Sequence, residues 1–173
     1  MGTLNTTASI KSDIIFQQID TQTNSVDNRQ GSLGQSFTLA SGTGNGEINA
    51  VYNVQDTTLS GLGSVLEIDF SAATQPIVLS SFGIQFTRVN GLAVYNKETT
   101  VDKSIFVRAT GSDSFQEPFN GQSGNYKINP EGSYMYSDKL VGATVDSSNK
   151  NFQIVNNHSG TTTFTIIAVG VSG

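Results

Sequence analysis

From residue 46 onward, hydrophobic and polar residues alternate in short stretches of the chain. Residues 47–54 read EINAVYNV, and residues 64–70 read SVLEIDF, with the carboxylates of Glu67 and Asp69 opposite the apolar side chains. A period of two is typical of strands that have one buried and one solvated face. The positions predicted to face a core are Ile48, Ala50, Tyr52, Val54, Leu66, Ile68, Phe70, Phe82, Ile84, Phe86, Ile105, Val107 and Ala109.

Turn signals separate these strands at intervals of about eight to twelve residues, which is the spacing of a sandwich or barrel. Residues 130–132 (PEG) predict a turn, and residues 156–160 (NNHSG) predict a polar hairpin loop. The last segment is apolar on both faces at Ile166, Ile167 and Val169, which predicts a central strand packed from both sides. We therefore predict an all-β fold: an antiparallel, jelly-roll-like β-sandwich.

Residues 1–45 follow a different pattern, because polar and glycine-rich stretches surround a single short apolar patch. The patch consists of Ile14, Ile15, Phe16 and Ile19. A segment with so little to bury is expected to form an extended arm with one short anchoring strand, whose apolar patch contacts a partner. An edge strand followed by a long loop is the alternative. The predicted division is an arm over 1–45 and a sandwich over 46–173.

Composition narrows the possible chemistry. The chain has no cysteine, which excludes disulfides, thiolate zinc sites, iron–sulfur clusters and a cysteine nucleophile. Charged residues make up only 13% of the chain, and the net charge is −5. The nine lysines and arginines are scattered singly, whereas nucleic-acid binding needs them clustered. We therefore predict neither a nucleic-acid partner nor a membrane partner, and no apolar run approaches the ~20 residues that span a bilayer.

Catalytic and metal-binding patterns are weak. His158 is the only histidine, and the Gly-x-Ser-x-Gly elbow of a serine hydrolase is absent. Glu67 and Asp69 lie on one strand face about 7 Å apart, which leaves a glycosidase pair as a less favoured alternative. Asp113 and Glu117 leave a loop calcium site open in the same way. The sequence thus predicts no enzyme activity, no catalytic residues, no metal and no cofactor.

Three tyrosines suggest a binding surface. Tyr134 and Tyr136 are two residues apart and so share a strand face, and Tyr126 lies on a neighbouring predicted strand. Tyrosine rings can stack on sugars, so these residues are candidates for ligand stacking in a carbohydrate-binding module. Tyrosine is also a good strand former, and the same pattern arises in an ordinary sandwich.

The carboxyl-terminal part, over about residues 78–173, resembles small β-rich proteins encoded among the virion-structure genes of tailed bacteriophages. A phenylalanine-containing loop at 115–121 precedes a Pro-x-Gly turn and apolar strand at 130–135. An apolar strand over 152–160 ends in Asn-x-x-Ser-Gly, and a threonine-rich strand over 161–172 ends in Gly-x-Ser. These motifs are turn chemistry rather than catalytic signatures.

The resemblance implies a structural role. Such proteins decorate or cement the capsid, and no catalytic residues come with the family. It implies the major capsid protein as partner, self-association as a homotrimer, and a place on the virion surface after a stay in the host cytoplasm. We therefore predict a non-enzymatic capsid decoration protein. The alternative is a carbohydrate- or receptor-binding sandwich module in a phage fibre or a secreted protein.

Overall fold

The computed structural model describes residues 8–22, 25–76, 81–109, 111–119 and 124–173, with side chains from residue 39 onward except at 74–83 and 117. Within these residues the strands are β1 (Ala8–Gln22), β2 (Ser25–Ser41), β3 (Glu47–Ile48), β4 (Ala50–Ser60), β5 (Val65–Asp69), β6 (Ala73–Pro76), β7 (Ser81–Ile84), β8 (Phe86–Asn96), β9 (Ile105–Ala109), β10 (Gly124–Ile128), β11 (Ser133–Ser137), β12 (Ala143–Thr144), β13 (Asn151–Asn156) and β14 (Thr161–Ser172). One 3₁₀ turn covers Glu117–Phe119. The described chain contains no helix with the length and apolarity to cross a membrane.

Nine of the described strands form two antiparallel sheets. The first sheet has the order β11-β8-β14-β4, with β12 also paired to β8, and the second has the order β10-β9-β13-β5. The pairs β4–β14, β5–β13, β8–β11 and β9–β10 nest inside one another along the chain. A long hairpin folded over on itself in this way is a jelly roll. The predicted all-β, jelly-roll-like sandwich is confirmed.

The hydrophobic core lies between the two sheets, and both contribute to it. Its centre is aromatic: the ring centroid of Phe70 lies 5.9 Å from Phe86, 5.0 Å from Phe115 and 6.0 Å from Phe152. Every predicted core position with a described side chain is buried or half-buried. The side chain of Phe82 lies outside the described part. Alternation therefore identified the inward face of these strands correctly.

The last strand, β14, is central as predicted, since it pairs with both β8 and β4. The prediction that β14 is packed on both faces is correct only in part. Ile166 is fully buried in the core and Val169 is covered on the opposite face, but Ile167 remains 37% exposed. The outer face of the sheet is covered at Val169 by Leu39 and Ile48, and this small cluster does not include Ile167.

The amino-terminal segment contains more regular structure than the sequence indicated. Strands β1 and β2, of 15 and 17 residues, pair antiparallel from Ala8–Leu39 to Gln22–Ser25; we call this pair the ribbon. The expectation of one short strand, and the alternative of a strand and a long loop, are both wrong here. Main-chain hydrogen bonds hold such a pair whatever its side chains, so polar composition does not prevent it. The boundary between arm and sandwich stays a prediction.

Candidate interaction surfaces

The edge strands of the two sheets, β10 and β11, bring Tyr126 and Tyr134 together. Their ring centroids are 5.3 Å apart, and Phe119 stacks on Tyr134 at 5.5 Å with 16° between the ring planes. The Tyr134 hydroxyl donates a 2.8 Å hydrogen bond to the carbonyl oxygen of Pro118. Burial, with a smaller contribution from Tyr126, raises the pKa of Tyr134 to about 12. The phenol is therefore a neutral donor, and its hydrogen bond joins β11 to the turn that contains Pro118.

The three tyrosines differ in how much they offer to a ligand. Tyr126 is 49% exposed, whereas Tyr134 and Tyr136 are half-buried against the core. Tyr136 lies opposite Leu92 of β8, which faces inward. A stacking ligand at this edge therefore meets mainly the ring of Tyr126. Tyr134 instead makes a structural contact, its hydrogen bond to Pro118, which the spacing of the tyrosines did not indicate.

His158 lies in the loop between β13 and β14, as the sequence suggested, and both ring nitrogens have protein partners. Nδ1 accepts a 2.9 Å hydrogen bond from the Gly160 amide, and Nε2 lies 3.5 Å from Oδ2 of Asp102. The side chain of Asn156 accepts from the His158 amide at 2.8 Å. A general base needs a ring nitrogen directed at the nucleophile. These contacts instead fix the loop.

Glu67 and Asp69 are each tied to a neighbour. Oε2 of Glu67 accepts a 2.5 Å hydrogen bond from Gln153, and Oδ2 of Asp69 lies 3.2 Å from Lys150 Nζ. Partial burial raises the pKa of Asp69, but hydrogen bonds from Ser71 and Lys150 outweigh it and lower the pKa below its usual value. Glycosidase general acids need a raised pKa. Asp69 is thus suited to an ion pair rather than to proton donation.

Of the two candidate calcium ligands, the structure describes the side chain of Asp113 only. Oδ1 of Asp113 accepts a 2.9 Å hydrogen bond from the Ser112 hydroxyl, while the side chain of Glu117 lies outside the described part. Across the described residues there is no group of three or more histidine, cysteine or acidic side chains arranged to hold a metal ion.

The ribbon register divides the predicted apolar patch between two faces. Residues opposite each other share a face, and successive residues alternate. The face that contains Leu39 carries the pairs Ala8–Leu39, Ile10–Phe37, Ser12–Gln35, Ile14–Leu33 and Phe16–Gly31. Ile15 and Ile19 lie on the other face, opposite Ser32 and Asn28. The side chains of Ile14, Ile15, Phe16 and Ile19 themselves lie outside the described residues.

The base of the ribbon is anchored to the first sheet. Leu39 and Ile48 are fully buried and pack on Val169 and Val51 of its outer face. The main chain of β2 pairs in parallel with β3 at Ala40–Glu47 and Ser41–Ile48. Sequence alternation did not identify Leu39, because it lies outside the regular strands of the sandwich.

Arg88 fixes the loop between β2 and β3. Its guanidinium donates to the carbonyl oxygen of Gly44 at 2.6 Å and to the side chain of Asn90 at 3.1 Å. Oε2 of Glu47 accepts from the Gly44 amide at 2.7 Å. Nothing in the local sequence marks Arg88 for this role, since Gly44 is 44 positions away.

Comparisons with known proteins do not identify a family. No family model matches the chain, and no curated protein matches it. Among solved structures, PirA matches over 71% of this chain and 95% of its own, with 13% identity and a TM-score of 0.36. The Yersinia pseudotuberculosis-derived mitogen matches over 71% and 86%, with 16% identity and the same TM-score. Likenesses this weak support no argument about function, and they provide no link to a phage capsid.

Proposed function

We propose that the protein is a non-enzymatic structural subunit of a phage virion that decorates and stabilises the head. The observation that carries the proposal is the combination of a jelly roll with a long ribbon anchored at one end. The jelly roll provides a rigid body, and the ribbon extends the surface available for contact with neighbouring subunits. The motifs shared with small phage structural proteins support the same role.

The ribbon suits attachment through its main chain. An edge strand presents unpaired amide and carbonyl groups that can extend the sheet of a neighbour. The partners of this proposal are the major capsid protein and further copies of this chain, arranged as a trimer at a symmetric position of the shell. Several weak contacts per trimer then act together and give a firm attachment. Before assembly the subunit resides in the host cytoplasm, and afterwards on the capsid surface.

Quantitative mass spectrometry of purified virions tests this proposal directly. We expect the chain in a fixed ratio to the major capsid protein, as symmetry-related positions require. Stripped heads incubated with the recombinant full-length chain are expected to recover it in the same ratio, and to survive heating better than heads without it. Absence of the chain from purified particles, or a copy number unrelated to the capsid, contradicts the proposal.

A second candidate function is carbohydrate binding, because Tyr126 exposes half its surface beside Tyr134 at the sandwich edge. Binding to a glycan array is expected to be lost in Tyr126→Ala. Leu62→Ala is the control, because Leu62 is 71% exposed in the turn between β4 and β5 and belongs to neither edge strand. Equal binding by both variants, or no binding by the original chain, contradicts this function.

A further inference from the structure

The outer face of the first sheet carries an open apolar patch. Met135 of β11, Ala93 of β8 and Ile167 of β14 form one row across three strands. Tyr95 lies two residues from Ala93 on the same face. Met135 is 45% exposed, and Tyr95 and Ile167 are also exposed. Side chains directly opposite in a sheet lie about 5 Å apart, so these four residues form a continuous surface. We call them the sheet patch.

The sheet patch continues a contact that the chain already makes. Val169 is two residues beyond Ile167 on the same face of β14, and it is buried beneath Leu39 and Ile48. The base of the ribbon thus covers one end of the outer face. The sheet patch itself is exposed in the single chain, and the polar residues Ser133, Thr165 and Asn53 border it on the same face.

Part of one ribbon face resembles the sheet patch in having no charged residue. On the face that contains Leu39, the pairs from Ala8–Leu39 to Phe16–Gly31 include no charged residue, and we call this stretch the uncharged face. The charged residues on the same side of the ribbon, Arg29, Asp20 and Asp27, lie farther from the sandwich along the ribbon. Lys11 and Asp13 belong to the opposite face, because they lie at the alternate positions. A two-stranded ribbon is only marginally stable in water unless one face packs on something. The centres of protein interfaces are likewise poor in charge.

We infer that this uncharged face of the ribbon in one copy packs on the sheet patch of a second copy. One chain carries both halves of the contact, and its own patch remains exposed with its ribbon attached. Each copy then gives its ribbon to another copy and receives one, a contact of the kind that builds a ring when the rotation between copies closes. The inference deepens the self-association proposed above and does not require a capsid.

Adjacent isoleucines provide a matched test on the isolated full-length chain. Ile14 lies on the uncharged face and Ile15 on the opposite one, so Ile14→Asp and Ile15→Asp make the same change on the two faces. We expect sedimentation to show an oligomer for the original chain and for Ile15→Asp. For Ile14→Asp we expect at least a tenfold weaker association. Two variants with equal effect, or an original chain that stays monomeric, overturn the inference.

The receiving surface is tested in the same way. Met135→Asp is expected to weaken association as Ile14→Asp does, while Val65→Asp, at a 41% exposed residue of the other sheet, is expected to leave it unchanged. Thermal unfolding of each variant checks that the sandwich remains folded. Association that is lost in Val65→Asp but kept in Met135→Asp overturns the inference.

Cysteine cross-linking distinguishes a second copy from the chain's own ribbon. The chain has no cysteine, so Leu33→Cys on one tagged copy and Met135→Cys on another introduce a single pair. Mild oxidation of the mixture is expected to give the mixed dimer. When Ser32→Cys, on the opposite ribbon face, is used in place of Leu33→Cys, no mixed dimer is expected. Failure to cross-link, or closure within one chain in the Leu33→Cys/Met135→Cys double variant, overturns the inference. Either result leaves the presence of the protein in virions to be decided by mass spectrometry.

Discussion

The sandwich and the ribbon are both antiparallel β structure, yet they differ in what surrounds their strands. Strands of the sandwich bury one face in a shared core whose centre is the phenylalanine cluster around Phe70. The ribbon is two paired strands whose buried anchor is Leu39 at its base. Main-chain pairing is the same in both, so we expect any difference in stability between the two regions to come from side-chain burial rather than from strand pairing.

The largest expected effect lies in the core of the sandwich. Phe152 is fully buried and contacts both Phe70 and Phe119, so Phe152→Ala leaves a cavity and is expected to cost about 3–5 kcal/mol of unfolding free energy. Phe16→Ala, in the ribbon, is expected to cost less than about 1 kcal/mol in the monomeric chain. Urea unfolding measures both. Similar costs for the two variants contradict the contrast between the regions.

The next-largest effect is expected at the junction of the ribbon and the sandwich. Leu39 is fully buried in a cluster whose described members are four apolar residues, so Leu39→Ala is expected to cost about 2 kcal/mol, the low end for such a truncation. Because the cluster lies outside the main core, the loss is expected to appear as faster hydrogen exchange in β2 and β3. Exchange in β9 and β13 serves as the internal control and is expected to change little. Uniformly faster exchange shows instead that ribbon and sandwich unfold as one unit.

Sequence patterns predict the sandwich well for a physical reason. Its strands are half-buried, so each needs apolar residues at every second position, and positions such as Ile68 and Val107 show it. The strand pairing of the ribbon uses main-chain hydrogen bonds, which leave little trace in the amino-acid sequence. For this reason the sequence predicted one short strand within residues 1–45, whereas Ala8–Gln22 and Ser25–Ser41 both form strands.

The candidate surfaces were less predictable, because they depend on how distant strands meet. Tyr126 and Tyr134 belong to different sheets, and only the folded edge brings their rings to 5.3 Å. The sheet patch combines Met135, Ala93 and Ile167 from three strands that the register aligns. Alternation identifies the outward face of each strand, but it contains no information about register between strands far apart in sequence.

Gly170, in the first sheet, tests how closely the main chains of β14 and β8 approach each other. A Cβ on Gly170 would lie 2.0 Å from the carbonyl oxygen of Arg88, beside a register shift between β14 and β8. Because main chain has to move, Gly170→Ala is expected to cost about 1–3 kcal/mol. Gly61, with open space but a φ of +87°, is the control and is expected to cost about 1–2 kcal/mol through backbone strain alone. Thermal unfolding compares the two, and a larger loss for Gly61→Ala contradicts close packing at Gly170.

The smallest expected effect is the pH dependence of the Asp69–Lys150 ion pair at the sandwich surface. Hydrogen bonds from Ser71 and Lys150 hold the pKa of Asp69 below its ordinary value of 3.8 in the folded chain. A carboxyl with a lowered folded pKa stabilises the fold above the unfolded pKa, and this contribution is lost as the pH falls through the folded pKa.

Asp69→Asn is therefore expected to be less stable than the original chain at pH 7, by about 0.2–1 kcal/mol, because solvent screens a carboxyl that is 35% exposed. The difference is expected to shrink as the pH falls below 3.8. Urea unfolding at pH 7 and pH 3 measures it, and a double-mutant cycle with Lys150→Gln separates the ion pair from the Ser71 contacts. The ribbon carries no part of this pair, so its exchange rates are expected to be the same in Asp69→Asn. A stability difference independent of pH shows that the lost hydrogen bonds, rather than the charge, account for the effect.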